Sequence, residues 1–152
     1  LAGPDKVWTC GERSRAYRDA LRDAGRSVRE DQVLKCELTV SAGQKQMRRL
    51  LDNPEPPDAV FCVNDPVGVG AYLETIAQGI SVPDQMGIVG FSNTLESRIT
   101  GVPMTTVNQD TQELGQQAAE ILLSRMIGTA RSEKPIHRVI GTEFLVRRSS
   151  IR

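Results

Sequence analysis

Apolar residues recur along this chain in two rhythms, and each change of rhythm marks a change of element. Ala16, Tyr17, Ala20, Leu21 and Ala24 share one face at helical spacing, predicting a helix over residues 11–24 that Gly25 closes. Residues 33–38 alternate weakly and read as a short strand. Met47, Leu50 and Leu51 mark the inward side of a helix over 42–51, and Asn53-Pro54-Glu55-Pro56-Pro57 follows as a rigid connector. Residues 59–63 are an unbroken apolar run of strand length, stopped by Asn64, Asp65 and Pro66. Asp65 is placed to cap a helix whose first residue is Pro66. Val67, Gly70, Ala71, Ile76 and Ala77 supply that helix's packing side, Gly79 ends it, and Pro83 lies just beyond. A second apolar strand over 86–91 ends in Ser92 and Asn93.

The rest of the chain repeats the alternation. Residues 94–103 read as loop and 104–107 as one more strand. Asp110 with Glu113 has capping-box spacing. The helix it opens, over 111–127, turns Leu114, Ala118, Ile121, Leu122 and Met126 to one side and ends at Gly128. A polar loop over 129–135 and two extended pieces, 138–140 and 143–147, complete the chain. Strand and helix alternate almost throughout, so the fold class is α/β, a mainly parallel sheet flanked by helices. Open sheets of this class bind ligands beyond the carboxyl ends of their strands, which is where Asn64, Ser92 and Asn93 fall.

Composition narrows the function. A chain of 152 residues suffices for one domain with a real core. Its 19 basic and 19 acidic residues cancel, which argues against a grip on nucleic acid by its own charge. No apolar run approaches a membrane span, and no signal-peptide pattern opens the sequence. Cys10, Cys36 and Cys62 are odd in number and without Cys-x-x-Cys spacing, as expected for reduced thiols in a cytoplasmic protein, with Cys62 a small core residue. Leu1-Ala2-Gly3-Pro4 reads as the end of a strand and its turn, so the chain is expected to be a piece of a longer protein.

Catalytic chemistry finds little to stand on. The single histidine, His137, has no acid, cysteine or second histidine at ligand or triad spacing and reads as a surface residue. Gly68-Val69-Gly70 lacks the third glycine of a dinucleotide loop and falls inside a helix. No nucleophile elbow or phosphate loop is present, and no metal or cofactor is expected. What remains is neutral hydrogen-bonding groups at strand ends and one arginine, Arg13, in the first turn of its helix. Asn64 both donates and accepts, and Arg13 offers a planar fork of donors. Such groups suit polyhydroxyl ligands or small carboxylates. For Asn64, helix capping is an equal alternative. The other charges of residues 11–24 read as a solvated face.

Several collinear blocks resemble the sensor domain of lactose-repressor-type (LacI/GalR) transcription regulators. They are Asp58-Ala59-Val60-Phe61-Cys62-Val63-Asn64-Asp65 with Gly70-Ala71, then Gly79-Ile80-Ser81-Val82-Pro83-Asp84 and Ile88-Val89-Gly90-Phe91. Pro103-Met104-Thr105-Thr106-Val107, Leu114-Gly115 and Phe144-Leu145-Val146-Arg147-Arg148-Ser149-Ser150 complete the pattern, with Leu1-Ala2-Gly3-Pro4 at its start. The resemblance implies a periplasmic-binding-protein-like fold of two lobes with an effector between them. On it, 1–152 is a partial effector-binding domain: 1–107 the C-terminal lobe, 108–130 a helix crossing to the N-terminal lobe, and 131–152 closing strands. The DNA-binding domain that normally precedes such sensors has no counterpart in these blocks.

The same resemblance implies a cytoplasmic, non-enzymatic homodimer that binds a small sugar-like effector. Operator DNA would be bound only through that N-terminal domain, and no membrane is involved. Arg13 matches the family's effector-contacting arginine and Asn64 its strand-end asparagine. Ser92 stands where an aspartate usually holds ligand hydroxyls, and Leu38 where some members place a stacking aromatic. The alternative reading is a periplasmic sugar-binding protein of a transport system, which shares the fold. The resemblance also implies that Leu114, Ile121, Leu122 and Met126 pack on the N-terminal lobe, so the isolated chain is expected to dimerise or exchange that helix.

Overall fold

The computed structural model describes residues 1–127 and 135–151. Gly128 and residues 129–134 of the expected polar loop lie outside the described residues. The elements run α1 (Trp8–Asp23), α2 (Val40–Leu51), β1 (Ala59–Phe61), α3 (Asp65–Ala77), β2 (Gly87–Phe91), α4 (Leu95–Ile99), β3 (Thr105–Gln109), α5 (Thr111–Met126) and β4 (Thr142–Leu145). The sheet has the order β1-β2-β3-β4. β1, β2 and β3 are parallel, with Val60 opposite Ile88 and Gly90 opposite Thr106, and β4 closes the edge antiparallel through Val107–Phe144. This is the mainly parallel α/β sheet that the alternation of rhythms implies.

Beyond β1 the sheet continues through short extended pieces. The Leu1 amino group donates to the Phe61 carbonyl at 2.5 Å, and Val63 N–H donates back to Leu1. Ala2 in turn pairs with the chain at Lys35 by a single parallel bridge. The strand expected over 33–38 is therefore reduced to that bridge, because Glu30–Gln32 forms a 3-10 turn just before it and Thr39 opens α2 just after. Two further expectations are corrected. Residues 94–103 are not all loop but contain α4, and 138–140 forms no strand, the β4 ladder starting at Thr142.

The core lies where α2 and α3 pack on each other and α3 packs on the sheet. Met47 and Leu50 from α2, Val67 and Ala71 from α3, and Val60, Ile88 and Met104 from around the strands are all buried there. Small residues bring the two helices together. A Cβ on Gly70 would stand 2.1 Å from the Val40 carbonyl, and one on Gly43 would stand 2.3 Å from that of Val67. Real side chains do not tolerate either approach, so both positions need glycine. Ile76, at the far end of α3, is instead exposed.

The outer helices depart from expectation. α1 starts three residues earlier than the apolar stripe predicts and buries only Cys10, although Tyr17 stacks on Phe61 with ring centroids 6.4 Å apart. Gly25 takes the left-handed conformation (φ 67) expected just past a helix end. α5 is capped as its spacing predicts, the Asp110 carboxylate accepting from the Glu113 N–H at 2.9 Å. Yet α5 buries no residue at all. Leu114, Leu122 and Met126 are more than half exposed.

Candidate functional site

The carboxyl ends of β1, β2 and β3 form one edge, and sequence dictates how each is finished. β1 cannot continue past Pro66, so the chain turns at Asn64 into α3. The Asn64 side-chain oxygen accepts the Val67 N–H at 3.0 Å and is the helix cap. This corrects the expectation for Asp65, which sits inside the first turn rather than capping it. Its carboxylate is fully buried and reaches across to the next two strand ends, accepting from Thr106 Oγ1 and from the Thr94 N–H, both at 2.7 Å. Asp65 is a tie between elements.

At the end of β2 the chain makes a tight reversal. Ser92 and Asn93 both take positive φ, 114 and 53, a conformation that is uncommon outside glycine. Hydrogen bonds hold them there. Ser92 N–H donates to the Val107 carbonyl and Asn93 N–H to Thr106 Oγ1. Their side chains lean toward β3: Ser92 Oγ donates to Gln109 Oε1 at 3.2 Å, and Asn93 Nδ2 to Asn108 Oδ1 at 3.0 Å.

Arg13 reaches the same edge from α1. Its Nη1 donates to the Val63 carbonyl at 2.7 Å, and its guanidinium carbon lies 3.6 Å from the centroid of the Phe91 ring, a cation–π contact. Val63 lies two residues past the end of β1 and Phe91 ends β2, so one guanidinium spans two neighbouring strand ends. Burial pulls the Arg13 pKa below its ordinary value, because desolvation disfavours its charged form. Arg13, Asn64 and Ser92 are thus gathered along one edge from three separate stretches. Leu38 is different: half-buried, it packs against the core beside Gly3 and presents an aliphatic surface.

Sequence reasoning placed Asn93 at the strand-end edge but did not single out Phe91 as the platform for Arg13, nor Asn108, Gln109 and Arg147. Arg147 donates to Asn93 Oδ1 at 2.6 Å and to the Met104 carbonyl at 3.0 Å. The signal that could have found Phe91, Asn108 and Gln109 was their place at the ends of β2 and β3. No group of three or more potential metal ligands exists among the described residues. The edge is a row of amide, hydroxyl and guanidinium groups that can hydrogen-bond a polar ligand.

A family model described as a periplasmic binding protein-like domain matches residues 1–151. The transcriptional repressor CytR of Escherichia coli (strain K12) is 38% identical over 128 residues, 84% of this chain and 38% of CytR. The transcriptional regulator CelR of Thermobifida fusca is 34% identical over 149 residues, 98% of this chain and 43% of CelR. The solved complex of a transcriptional regulator CelR with cellobiose superposes with a TM-score of 0.88 at 34% identity, covering 99% of this chain and 45% of that one. The chain therefore spans less than half the length of these relatives. It belongs to the periplasmic binding protein-like domain family, and its relatives are LacI-type transcription regulators.

Proposed function

We propose that this chain is part of the effector-binding domain of a LacI-type transcription regulator, its C-terminal lobe with a segment that crosses to the other lobe. A small polyhydroxyl molecule, sugar-like in chemistry, would lie against the strand-end edge and bias the protein between two arrangements of different operator affinity. The observation that carries the reading is the convergence of Arg13, Asn64 and Ser92 on one edge of a chain matched nearly end to end by regulators. Asn64 and Ser92 would hold ligand hydroxyls. Leu38 would supply an apolar contact.

In this reading residues 1–107 belong to one lobe, 108–130 cross to the other, and 131–152 return to close the first. The protein acts as a homodimer in the cytoplasm and contacts DNA only through a separate N-terminal domain. It is not an enzyme. The named relatives favour a regulator over a transport solute-binding protein, and no helix among the described residues is long and apolar enough to cross a membrane.

The test is operator binding by the protein encoded by the whole gene, with and without sugars and sugar derivatives. A helix-turn-helix segment upstream of Leu1 and ligand-dependent retardation of operator DNA are expected. A secretory leader upstream, with sugar binding but no DNA binding, would establish the transport reading instead.

A further inference from the structure

Among the described residues the partly buried cations divide in two: Arg18 and Arg29 meet carboxylates, whereas Arg13 and Arg147, at the strand-end edge, do not. Lys6, Arg26, Lys45, Arg49, Arg138 and Arg148 also lack a carboxylate but are exposed to solvent. Arg15, Arg18, Arg22, Arg29, Lys35 and Arg48 each meet a carboxylate. Arg13, Arg98 and Arg147, which converge on residues 91–93, meet none among the described residues. Arg13 donates to the Val63 carbonyl, Arg98 to the Asn93 carbonyl, and Arg147 to Asn93 Oδ1 and the Met104 carbonyl. The side chains of Asn64, Ser92, Asn93, Asn108 and Gln109 at the strand ends are neutral; Asp110, the exposed acid just past β3, accepts the Glu113 N–H as the cap of α5 and forms no ion pair among the described residues. Asp65, the acid within the edge, is buried, with one oxygen on Thr106 and the other on Thr94. Glu96 on α4 and Glu143 on β4 are exposed and form no ion pair with the three arginines.

Arg13 is the member of this group with donors to spare. With Nη1 committed to Val63 and the guanidinium over Phe91, its Nε and Nη2 have no partner among the described residues. Those two donors form the edge of the guanidinium that pairs with both oxygens of a carboxylate. A cation that is half-buried and lacks a counter-charge gains most from an anionic ligand group. Neutral hydroxyls would leave the charge unmatched.

Resting on the reading proposed above, we infer that the effector is a sugar acid, a polyhydroxy carboxylate whose carboxylate docks on the Nε–Nη2 edge of Arg13 while Ser92 and Asn64 take its hydroxyls. The commitment is to a planar carboxylate. A tetrahedral phosphate is the competing anion.

The test follows the Arg13 Nε–Hε resonance by NMR in the protein encoded by the whole gene during titration with galacturonate, galactose and galactose 6-phosphate. Galacturonate is expected to shift that resonance and to bind roughly tenfold or more tightly than galactose, the scale of one charge-assisted pair. Arg13→Lys removes the bidentate edge and should erase most of the preference. Ser92→Asp, a separate variant that adds an anion at the edge, should lower the ratio of galacturonate affinity to galactose affinity. Unchanged backbone amide spectra elsewhere check the folding of both variants. Galactose binding as tightly as galacturonate overturns the inference and leaves the proposed function standing. Tighter binding of galactose 6-phosphate overturns the carboxylate assignment, and no response to any of the three overturns the inference outright.

Discussion

Asn64 carries two demands with one side chain. Its oxygen is committed to the Val67 N–H as the cap of α3, which leaves the Nδ2 group as donor to a ligand. Capping and binding, equal alternatives on sequence, are compatible on the structure. Asn64→Ala should lower stability by about 1 kcal/mol in urea titration and lose the donor as well. Asn64→Asp keeps the cap, and the added charge suits a helix N-terminus, so its stability should stay near the parent's. Any loss of ligand affinity in that variant then belongs to the donor and the charge, not to folding. Asp65 tells the opposite story. It reads as a cap on local spacing, but its partners Thr94 and Thr106 lie 29 and 41 residues away, a separation at which local pattern carries no signal. Removing it leaves one buried and one partly buried donor without that acceptor, so Asp65→Ala should cost about 3 kcal/mol by denaturant unfolding. A loss no larger than that of Asn64→Ala would show that the tie is dispensable.

The elements most legible in the sequence are those whose ends are chemically marked. α3 lies between Asn64-Asp65-Pro66 and Gly79, and α5 opens on Asp110. The least legible were those decided by partners rather than by their own residues. Residues 33–38 fail to become a strand because only Ala2 pairs with them, and α4 is a single short helix within a stretch of loop composition. The α2–α3 pair illustrates the same point through Glu74. This carboxylate is buried at the helix interface, where Arg48 holds it through Nε at 2.7 Å and Nη2 at 3.2 Å, with Gln78 adding a third bond. The Arg48 hydrogen bonds hold its pKa below the ordinary value of 4.5, and the Gln78 bond adds to the effect. A carboxyl depressed in the folded state stabilises it above its unfolded pKa, and that contribution is lost as pH falls through the folded value. The parent should therefore exceed Glu74→Gln in urea midpoint at pH 7, and the gap should close below about pH 4. A gap that persisted into acid would mean that shape rather than charge is at stake.

At the scale of the molecule α5 stands apart, because it buries none of its residues. The positions of this helix that are partly covered are Glu113, Gln117, Ile121 and Ser124, spaced along one face and mostly polar. Leu122, Leu123 and Met126 point away from it, Leu114 lies at its margin, and all four are more than half exposed. An amphipathic helix normally turns its apolar face inward, so this one is oriented for a surface beyond the described residues. Phe144 and Val146, on and just beyond β4, are likewise exposed. Burying one exposed side chain of this size is worth roughly 1.5–3 kcal/mol as an upper bound, and several together can offset the entropy lost on association. The isolated chain is therefore expected to self-associate reversibly, with a second copy covering α5. Sedimentation over a range of concentrations should show a dimer, and Leu122→Glu with Met126→Glu should return it to monomer without altering the urea midpoint of the monomeric fold. A chain that stays monomeric at high concentration with α5 fully exposed would overturn this. A dimer that survives both substitutions would place the contact on another face.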